Sequence, residues 1–359
     1  MSRFVRCAGL VALVVLAGSR PAVAAERPLL LGGDVSLLPL CEDAGVTYTV
    51  AGKPGEALAI LGGSGCNTFR VRLFVAPDPD GAACQDLAWV ARLGARIKAR
   101  HATFLLDLHY SDTWADPGRQ ETPRAWSGLA PDALAARVES YTAAVVDSLT
   151  AAGARPDIVQ LGNEITPGLL WPAGRLDGSE AAWVRLAALL RAAGRGARRA
   201  DADGGTPLLL VHLATGGDPA ATRWFLAGLA RHDVPYDLVG LSYYPWWHGA
   251  PDDLAATLDV VATEFGRDVL VVETAQPWRE GPEPAASPFP ATPAGQAAFL
   301  CEVVRRVRET PGGHGRGVLW WAPEGIAAPG VPAWRAGDCA LFDAAGEVLP
   351  ALDAFRAPD

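Results

Sequence analysis

Two glutamates stand where an apolar run stops. Ile158-Val159-Gln160-Leu161-Gly162-Asn163-Glu164-Ile165 leads into Thr-Pro-Gly, and Val269-Leu270-Val271-Val272-Glu273-Thr274 has the same anatomy later in the chain. An apolar run bounded by turn residues reads as a buried strand. A carboxylate at the end of one is costly to bury unless it has partners or a task. Two such carboxyls facing each other have a defined competence. One can protonate a leaving oxygen while the other attacks carbon, which is how a glycosidic bond is broken.

Other polar residues fall on the same kind of position. With period-two alternation, Gln160, Gly162 and Glu164 share one face, opposite Val159 and Leu161. Arg70 and Arg72 lie opposite Phe69, Val71 and Leu73, and Asp107 and His109 lie opposite Leu106 and Leu108. Gly240, Ser242 and Tyr244 lie opposite Val239 and Leu241. One such residue is equally well a structural ion pair. Polar sets at several successive strand ends point to a shared site.

The elements that would carry them alternate along the chain. Short apolar strands are expected at 29–36, 68–75, 103–110, 157–165, 208–213, 238–244, 269–274 and 317–321. Ala/Leu/Arg-rich stretches with helical spacing lie between them, at 87–100, 131–152, 179–200, 218–231, 251–265 and 296–309, with a weaker one at 54–61. Strands alternating with helices imply a parallel sheet with helices outside it. Eight such units predict the α/β class, as a single (β/α)8 TIM barrel over residues 25–359 with long βα loops at the C-terminal face. A doubly wound open sheet is the other fold with this alternation, but no Gly-rich dinucleotide fingerprint follows any strand.

Arg3 and Arg6 precede the apolar run Ala8 to Ala17, and Ala22-Val23-Ala24 offers a small-residue cleavage site. Residues 1–24 therefore read as a secretory signal peptide. The mature chain is expected in a periplasm or outside the cell, free of the membrane and monomeric. Loss of Arg3, Arg6 and Arg20 with no acid would take the formal charge from −9 to −12. So acidic a protein is a poor match for nucleic acid or anionic lipid and is compatible with a neutral substrate. Of six cysteines, Cys7 leaves with the leader, and an odd number remains. Cys41–Cys84 and Cys301–Cys339 are the candidate disulfides, with Cys66 packed as a small hydrophobe. No spacing suits a zinc cluster, and no cofactor is expected.

Longer motifs make a resemblance specific. They are Gly-Gly-Asp-Val-Ser at 32–36, Asn-Thr-Phe-Arg-Val-Arg-Leu at 67–73 and Asp-Leu-His-Tyr-Ser-Asp-Thr-Trp-Ala-Asp-Pro-Gly at 107–118. Val-Gln-Leu-Gly-Asn-Glu-Ile at 159–165, Leu-Trp-Pro-Ala-Gly at 170–174 and Ser-Tyr-Tyr-Pro-Trp-Trp-His-Gly at 242–249 follow. Val-Glu-Thr-Ala at 272–275 and Ala-Leu-Phe-Asp at 340–343 complete the set. In these the chain resembles glycoside hydrolase family 53, the endo-β-1,4-galactanases of the large retaining (β/α)8 clan.

The resemblance implies Glu164 as general acid/base and Glu273 as nucleophile, acting on β-1,4-galactan, a pectic polysaccharide. It implies substrate contacts from Asp34, Arg72, His109, Asp112, Trp114, Asn163, Tyr244, Trp247, His248 and Trp321, with no metal. Arg72 is the expected cation beside Glu273, Asn163 the donor to the sugar 2-hydroxyl, and His109 and Tyr244 the supports of the carboxylates and sugar. Alternation favours Tyr244 over Tyr243 for that role. Twelve tryptophans exceed what core packing needs. Trp114, Trp171, Trp246, Trp247, Trp278, Trp320, Trp321 and Trp334 fall in or beside the active-face loops, where rings can stack on sugars. Trp89 and Trp183, on helices, are expected in the core.

Two departures from the family pattern are Gln276, where an aromatic is usual, and Ala322, where a carboxylate is usual. Both are expected to touch substrate subsites. The seventh loop, Arg279-Glu280-Gly281-Pro282-Glu283, lacks the ligands of a calcium site found in some bacterial members, and proline is expected to stiffen it instead. The competing readings are a same-clan retaining enzyme for another β-1,4-glycan and a non-catalytic carbohydrate-binding barrel.

Overall fold

A computed structural model describes residues 27–198, 205–281 and 286–356. Eight strands are all parallel and close into a barrel: β1 Leu30–Asp34, β2 Thr68–Leu73, β3 Thr103–Leu108, β4 Ile158–Leu161, β5 Leu208–Leu213, β6 Leu238–Tyr243, β7 Asp268–Thr274 and β8 Gly315–Trp321. Every expected strand is present, within a few residues of its expected ends. The signal-peptide assignment falls on residues outside those described. Among the described residues no helix is long and apolar enough to cross a membrane.

The helices are α1 Leu38–Asp43, α2 Ala57–Gly63, α3 Leu87–Lys98, α4 Pro131–Ala151, α5 Glu180–Arg198, α6 Pro219–Arg231, α7 Pro245–His248, α8 Pro251–Phe265 and α9 Pro293–Arg308. Their starts are chemically marked. Asp86 accepts from the Trp89 N–H, Asp218 from the Ala220 and Ala221 N–H groups, and Thr292 from the Gly295 N–H. Such caps satisfy amides that the helix itself leaves open. Sequence reading missed α1 and α7, which are too short to show a helical period.

Alternation sorts each strand between two cores. Outward residues such as Val71, Leu106, Val159, Val211, Val239 and Val318 join the helices in the main core. Inside the barrel, Leu105, Ile158, Leu210, Leu238, Leu270, Val272 and Leu319 form a separate apolar plug. Gly240 makes room in it, since a Cβ there would come within 3 Å of Leu210 and Val272. Above the plug the inward positions turn polar: Asp34, Arg70, Arg72, Asp107, Gln160, His212 and Ser242 are all buried.

Alternation fails at both glutamates. β4 ends at Leu161, and Gly162 (φ +88°) and Glu164 (φ +50°) adopt left-handed conformations. The chain turns there, so Asn163 enters the barrel mouth beside Glu164 instead of facing outward. In β7, Val271 pairs with Leu241 but Glu273 pairs with Ser242, so Val272 is an extra residue in the ladder. That bulge lets Val272 and Glu273 both point inward, a known use of bulges for re-aiming a side chain.

All five cysteines among the described residues are unpaired, contrary to the expected Cys41–Cys84 and Cys301–Cys339 bridges. Cys301 is exposed while Cys339 is buried. Cys41 packs against the Glu324 carbonyl, and Cys84 against the Gln85 amide. Cys66 is buried as expected.

Candidate active site

Arg70, the wholly buried centre of the polar layer, organises the site. Its Nη1 contacts Asp34 Oδ2 at 3.1 Å and Glu273 Oε1 at 2.9 Å. Nη2 donates to Asp107 Oδ2 at 2.7 Å and Asn163 Oδ1 at 2.8 Å, and Nε to Gln160 Oε1 at 3.1 Å. The expected partner of Glu273 was Arg72, which the structure corrects. Arg72 binds Asp34 Oδ1 at 2.7 Å and lies between two indoles, its guanidinium 4.7 Å from the Trp114 and Trp321 ring centres. Both arginines share a face, and alternation cannot choose between them; the register does.

Glu164 and Glu273 meet across the mouth. One ligand atom from each, with one from His212, lie within 4.8 Å of one another. This trio could ligate a metal ion by donor type, but Arg70 already supplies the positive charge against Glu273, which disfavours a second cation. Tyr244 donates to Glu273 Oε2 at 3.2 Å. Tyr243 instead donates to the Gly249 carbonyl, outside the site. The structure thus brings Tyr244 to the carboxylate, as alternation expected.

Glu164 has a different setting. Ser242 Oγ donates to its Oε1 at 2.7 Å, and the His212 ring Nε2 lies 2.9 Å from that hydroxyl. His212 was missed in the sequence because it sits in the run Leu208-Leu209-Leu210-Val211-His212 without a second polar residue on its face. Burial holds its pKa well below the ordinary histidine value, with Arg70 adding to the effect, so the ring is neutral.

Burial pushes the Glu164 carboxyl up to about 7, against the pull of Ser242 and Arg70. Burial also raises Glu273, with Arg70 opposing and Glu164 adding to the rise. Two carboxyls this close, Glu273 buried and Glu164 half-buried, share one proton near neutral pH. Arg70 and the Tyr244 phenol bond Glu273 directly and favour its ionised form, while Ser242 is the donor to Glu164. Beneath them, burial alone would raise Asp107, but Arg70 and His109 hold it near 2 as a fixed anion.

Several expected substrate contacts are otherwise engaged. Asp34 is fully buried between the two arginines. His109 lies 3.0 Å from Asp107, accepts from the Ala115 N–H, and touches neither glutamate. Asn163 Nδ2 donates to the Ala115 carbonyl, and its oxygen is taken by Arg70. Asp112 accepts from the Ala76 and Arg124 amides and lines a separate cleft of about 470 Å³ with Pro77, Asp78 and Glu121. His248 accepts from the Tyr244 N–H, and burial lowers its pKa to about 4.

Trp114 and Trp321 pair at 6.0 Å, and Trp247 is open to solvent. Trp320 is completely buried, its indole N–H on the Cys339 carbonyl, so it is core and no platform. Trp183 is core as expected, whereas Trp89 is only half-buried, its indole N–H on the Ser36 carbonyl.

The two departures from the family pattern, Gln276 and Ala322, are both buried. Gln276 is buried, with its amide on the Phe289 carbonyl. Two residues beyond Ala322, Glu324 is fully buried and accepts from the Leu37 N–H at 3.0 Å, tying the eighth loop to the first. Pro282 lies outside the described residues. An Arg279–Asp338 ion pair at 2.5 Å links the seventh and eighth loops.

A parallel barrel with facing carboxyls at its C-terminal mouth defines a barrel glycoside hydrolase. Residues 30–355 match Glycosyl hydrolase family 53, and the chain belongs to that family. It is 38% identical over 305 residues to a protein named probable arabinogalactan endo-beta-1,4-galactanase A from Aspergillus terreus, covering 81% of this chain and 84% of that one. The structure of the Ignisphaera aggregans GH53 catalytic domain is similar at a TM-score of 0.84 and 30% identity, over 94% of this chain and 97% of that one. A structure from a study of two fungal beta-1,4-galactanases matches at a TM-score of 0.82 and 31% identity, over 91% and 99%.

Proposed function

We propose that the protein is an endo-acting β-1,4-galactanase that retains anomeric configuration, with Glu273 as nucleophile and Glu164 as acid/base. The observation that carries the retaining mechanism is the pair of oxygens within 4.8 Å, and the galactan substrate rests on the family match and the galactanase-named relatives. Retaining enzymes hold their carboxyls about 5–5.5 Å apart, whereas inverting enzymes need room for a water between them.

In the first step a Glu273 oxygen attacks the anomeric carbon as the bond to the leaving oxygen breaks, and Glu164 gives that oxygen its proton. A glycosyl ester on Glu273 results. Glu164, now ionised, takes a proton from water, whose oxygen attacks the same carbon and releases Glu273. The Ser242 hydroxyl can stabilise Glu164 in its ionised state, and Arg70 holds Glu273 anionic between turnovers. Trp321, packed on Arg72, would floor the cleavage subsite.

Export to a periplasm or the medium, and action as a monomer, belong to the same proposal. They rest on the N-terminal sequence and on the presence of the whole carboxylate pair within one chain.

Reducing-end release should be measured on galactan, xylan, mannan and cellulose. Galactan should be cleaved internally. Cleavage of xylan without galactan would sink the substrate assignment, and galactan binding without turnover would leave a binding barrel.

A further inference from the structure

Glu164 stands on backbone that a residue with a Cβ does not adopt unaided. It lies in the left-handed region at φ +50°, two residues past Gly162 at φ +88°. Such backbone persists only where the surroundings impose it. The turn has also left the ladder, since β4 ends at Leu161, so its backbone polar groups need partners from elsewhere. Those partners come largely from side chains. Gln160 Nε2 donates to the Gly162 carbonyl at 3.0 Å. The Glu164 N–H donates to His212 Nδ1 at 3.3 Å, and the Ile165 N–H to the His212 carbonyl at 2.9 Å. The Asn163 and Glu164 carbonyls both fall to one residue, Gln120, whose Nε2 donates to them at 2.8 and 3.4 Å.

Gln120 is buried in the loop that follows β3. Its amide nitrogen meets a third carbonyl, that of Asp116, at 3.2 Å. Three carbonyls around one terminus identify that end as the nitrogen, because an oxygen there would face only acceptors. The Gln120 backbone is fixed as well. Its carbonyl accepts from the Trp171 N–H at 2.6 Å, and Thr122 Oγ1 donates to the Trp171 carbonyl at 2.8 Å. Gln120 thus joins the third loop to the fourth at two points, the Glu164 turn and Trp171.

We propose that Gln120 is a positioning residue for the acid/base: its amide pins the Asn163 and Glu164 carbonyls and so fixes the direction in which the Glu164 carboxyl enters the barrel mouth. The role rests on Glu164 being the proton donor of the function proposed above. Proton transfer requires the carboxyl within hydrogen-bond reach of the leaving oxygen, and small errors of placement are costly. Without the amide, the buried Asn163 carbonyl loses its donor and the left-handed turn loses one side of its restraint. The nucleophile does not share this dependence. Glu273 is aimed by the bulge in β7 and bonded by Arg70 and Tyr244. Loss of Gln120 should therefore weaken protonation and spare attack.

The test uses two aryl β-1,4-galactobiosides that fill the same sugar sites and differ only in the leaving group. Phenol needs a proton to leave, and dinitrophenol does not. Gln120→Met keeps the length of the side chain without its N–H donors, and Gln120→Ala removes both. In each variant the ratio of kcat/KM on the phenyl substrate to kcat/KM on the dinitrophenyl substrate should fall about tenfold. Both rates come from one preparation, so loss of folded protein cancels, and a general structural defect lowers the two alike. A ratio within about twofold of the parent in both variants overturns the role. Glu164→Gln, measured beside them, should lower the ratio further. If it does not, the acid assignment fails and the positioning role fails with it; if it does while the Gln120 variants hold the parent ratio, the positioning role alone fails. Should the parent cleave a different β-1,4-glycan, the same two leaving groups on that disaccharide decide the question.

Discussion

Glu164 and Glu273 are the same residue type on opposite sides of one opening, and they meet different partners. Glu273 faces a guanidinium and a phenol at 2.9 and 3.2 Å. Glu164 has a serine hydroxyl and a neutral histidine behind it. Their backbones differ as well: a bulge in a continuing strand aims one, and a left-handed turn after a finished strand aims the other. Burial raises both acids, so burial alone does not decide which keeps the shared proton. The difference lies in direct contact: Arg70 and Tyr244 bond Glu273, whereas Arg70 acts on Glu164 only through space.

The strongest way to break the asymmetry is to remove the nucleophile. Glu273→Gln should lower kcat on the order of 10⁴-fold, equivalent to about 5 kcal/mol of barrier. Azide should rescue Glu273→Ala with inverted product and Glu164→Ala with retained product, read by the anomer of the glycosyl azide. The opposite pattern would reverse the two roles.

Glu164→Gln should cost about 10²–10⁴-fold on galactan. Its loss should shrink sharply on an aryl glycoside whose leaving group needs no proton. Equal losses on both substrates would deny Glu164 the acid role.

Arg70→Met leaves Asp34, Asp107 and Glu273 buried without their common cation. Breaking a buried charge set in this way costs about 3–5 kcal/mol, measurable by denaturant unfolding. Arg70→Lys should recover part of that stability but less of the activity, because an ammonium cannot make the five contacts of the planar fork.

The smallest change sharpens the comparison without dismantling it. Ser242 stabilises the ionised form of Glu164, so Ser242→Ala should raise the Glu164 pKa. The alkaline limb of kcat/KM, where a proton donor near 7 is lost as pH rises, should then move to higher pH. A limb that stays in place or moves down would show that another group sets it.

The barrel itself was legible because each strand is a short apolar run and each helix a longer amphipathic one, and such patterns are local. The same locality put Arg70, Arg72, Asp107, Gln160 and Ser242 on inward faces and preferred Tyr244 to Tyr243. Four features of the site were not legible in this way. The choice of Arg70 over Arg72 depends on strand register. The inward turn of Glu273 depends on one extra residue in a ladder with β6. Asn163 enters the site only because Gly162 ends the alternation. His212 acquires its role from Ser242 and Glu164, which stand on other strands.

The sequence by itself determined the fold, the two carboxyls and the inward polar positions, since period and composition need only neighbours along the chain. Tertiary structure decided which partners those carboxyls meet. Charge state depends on distances of a few ångströms between residues far apart in the chain, and closure of the barrel sets those distances.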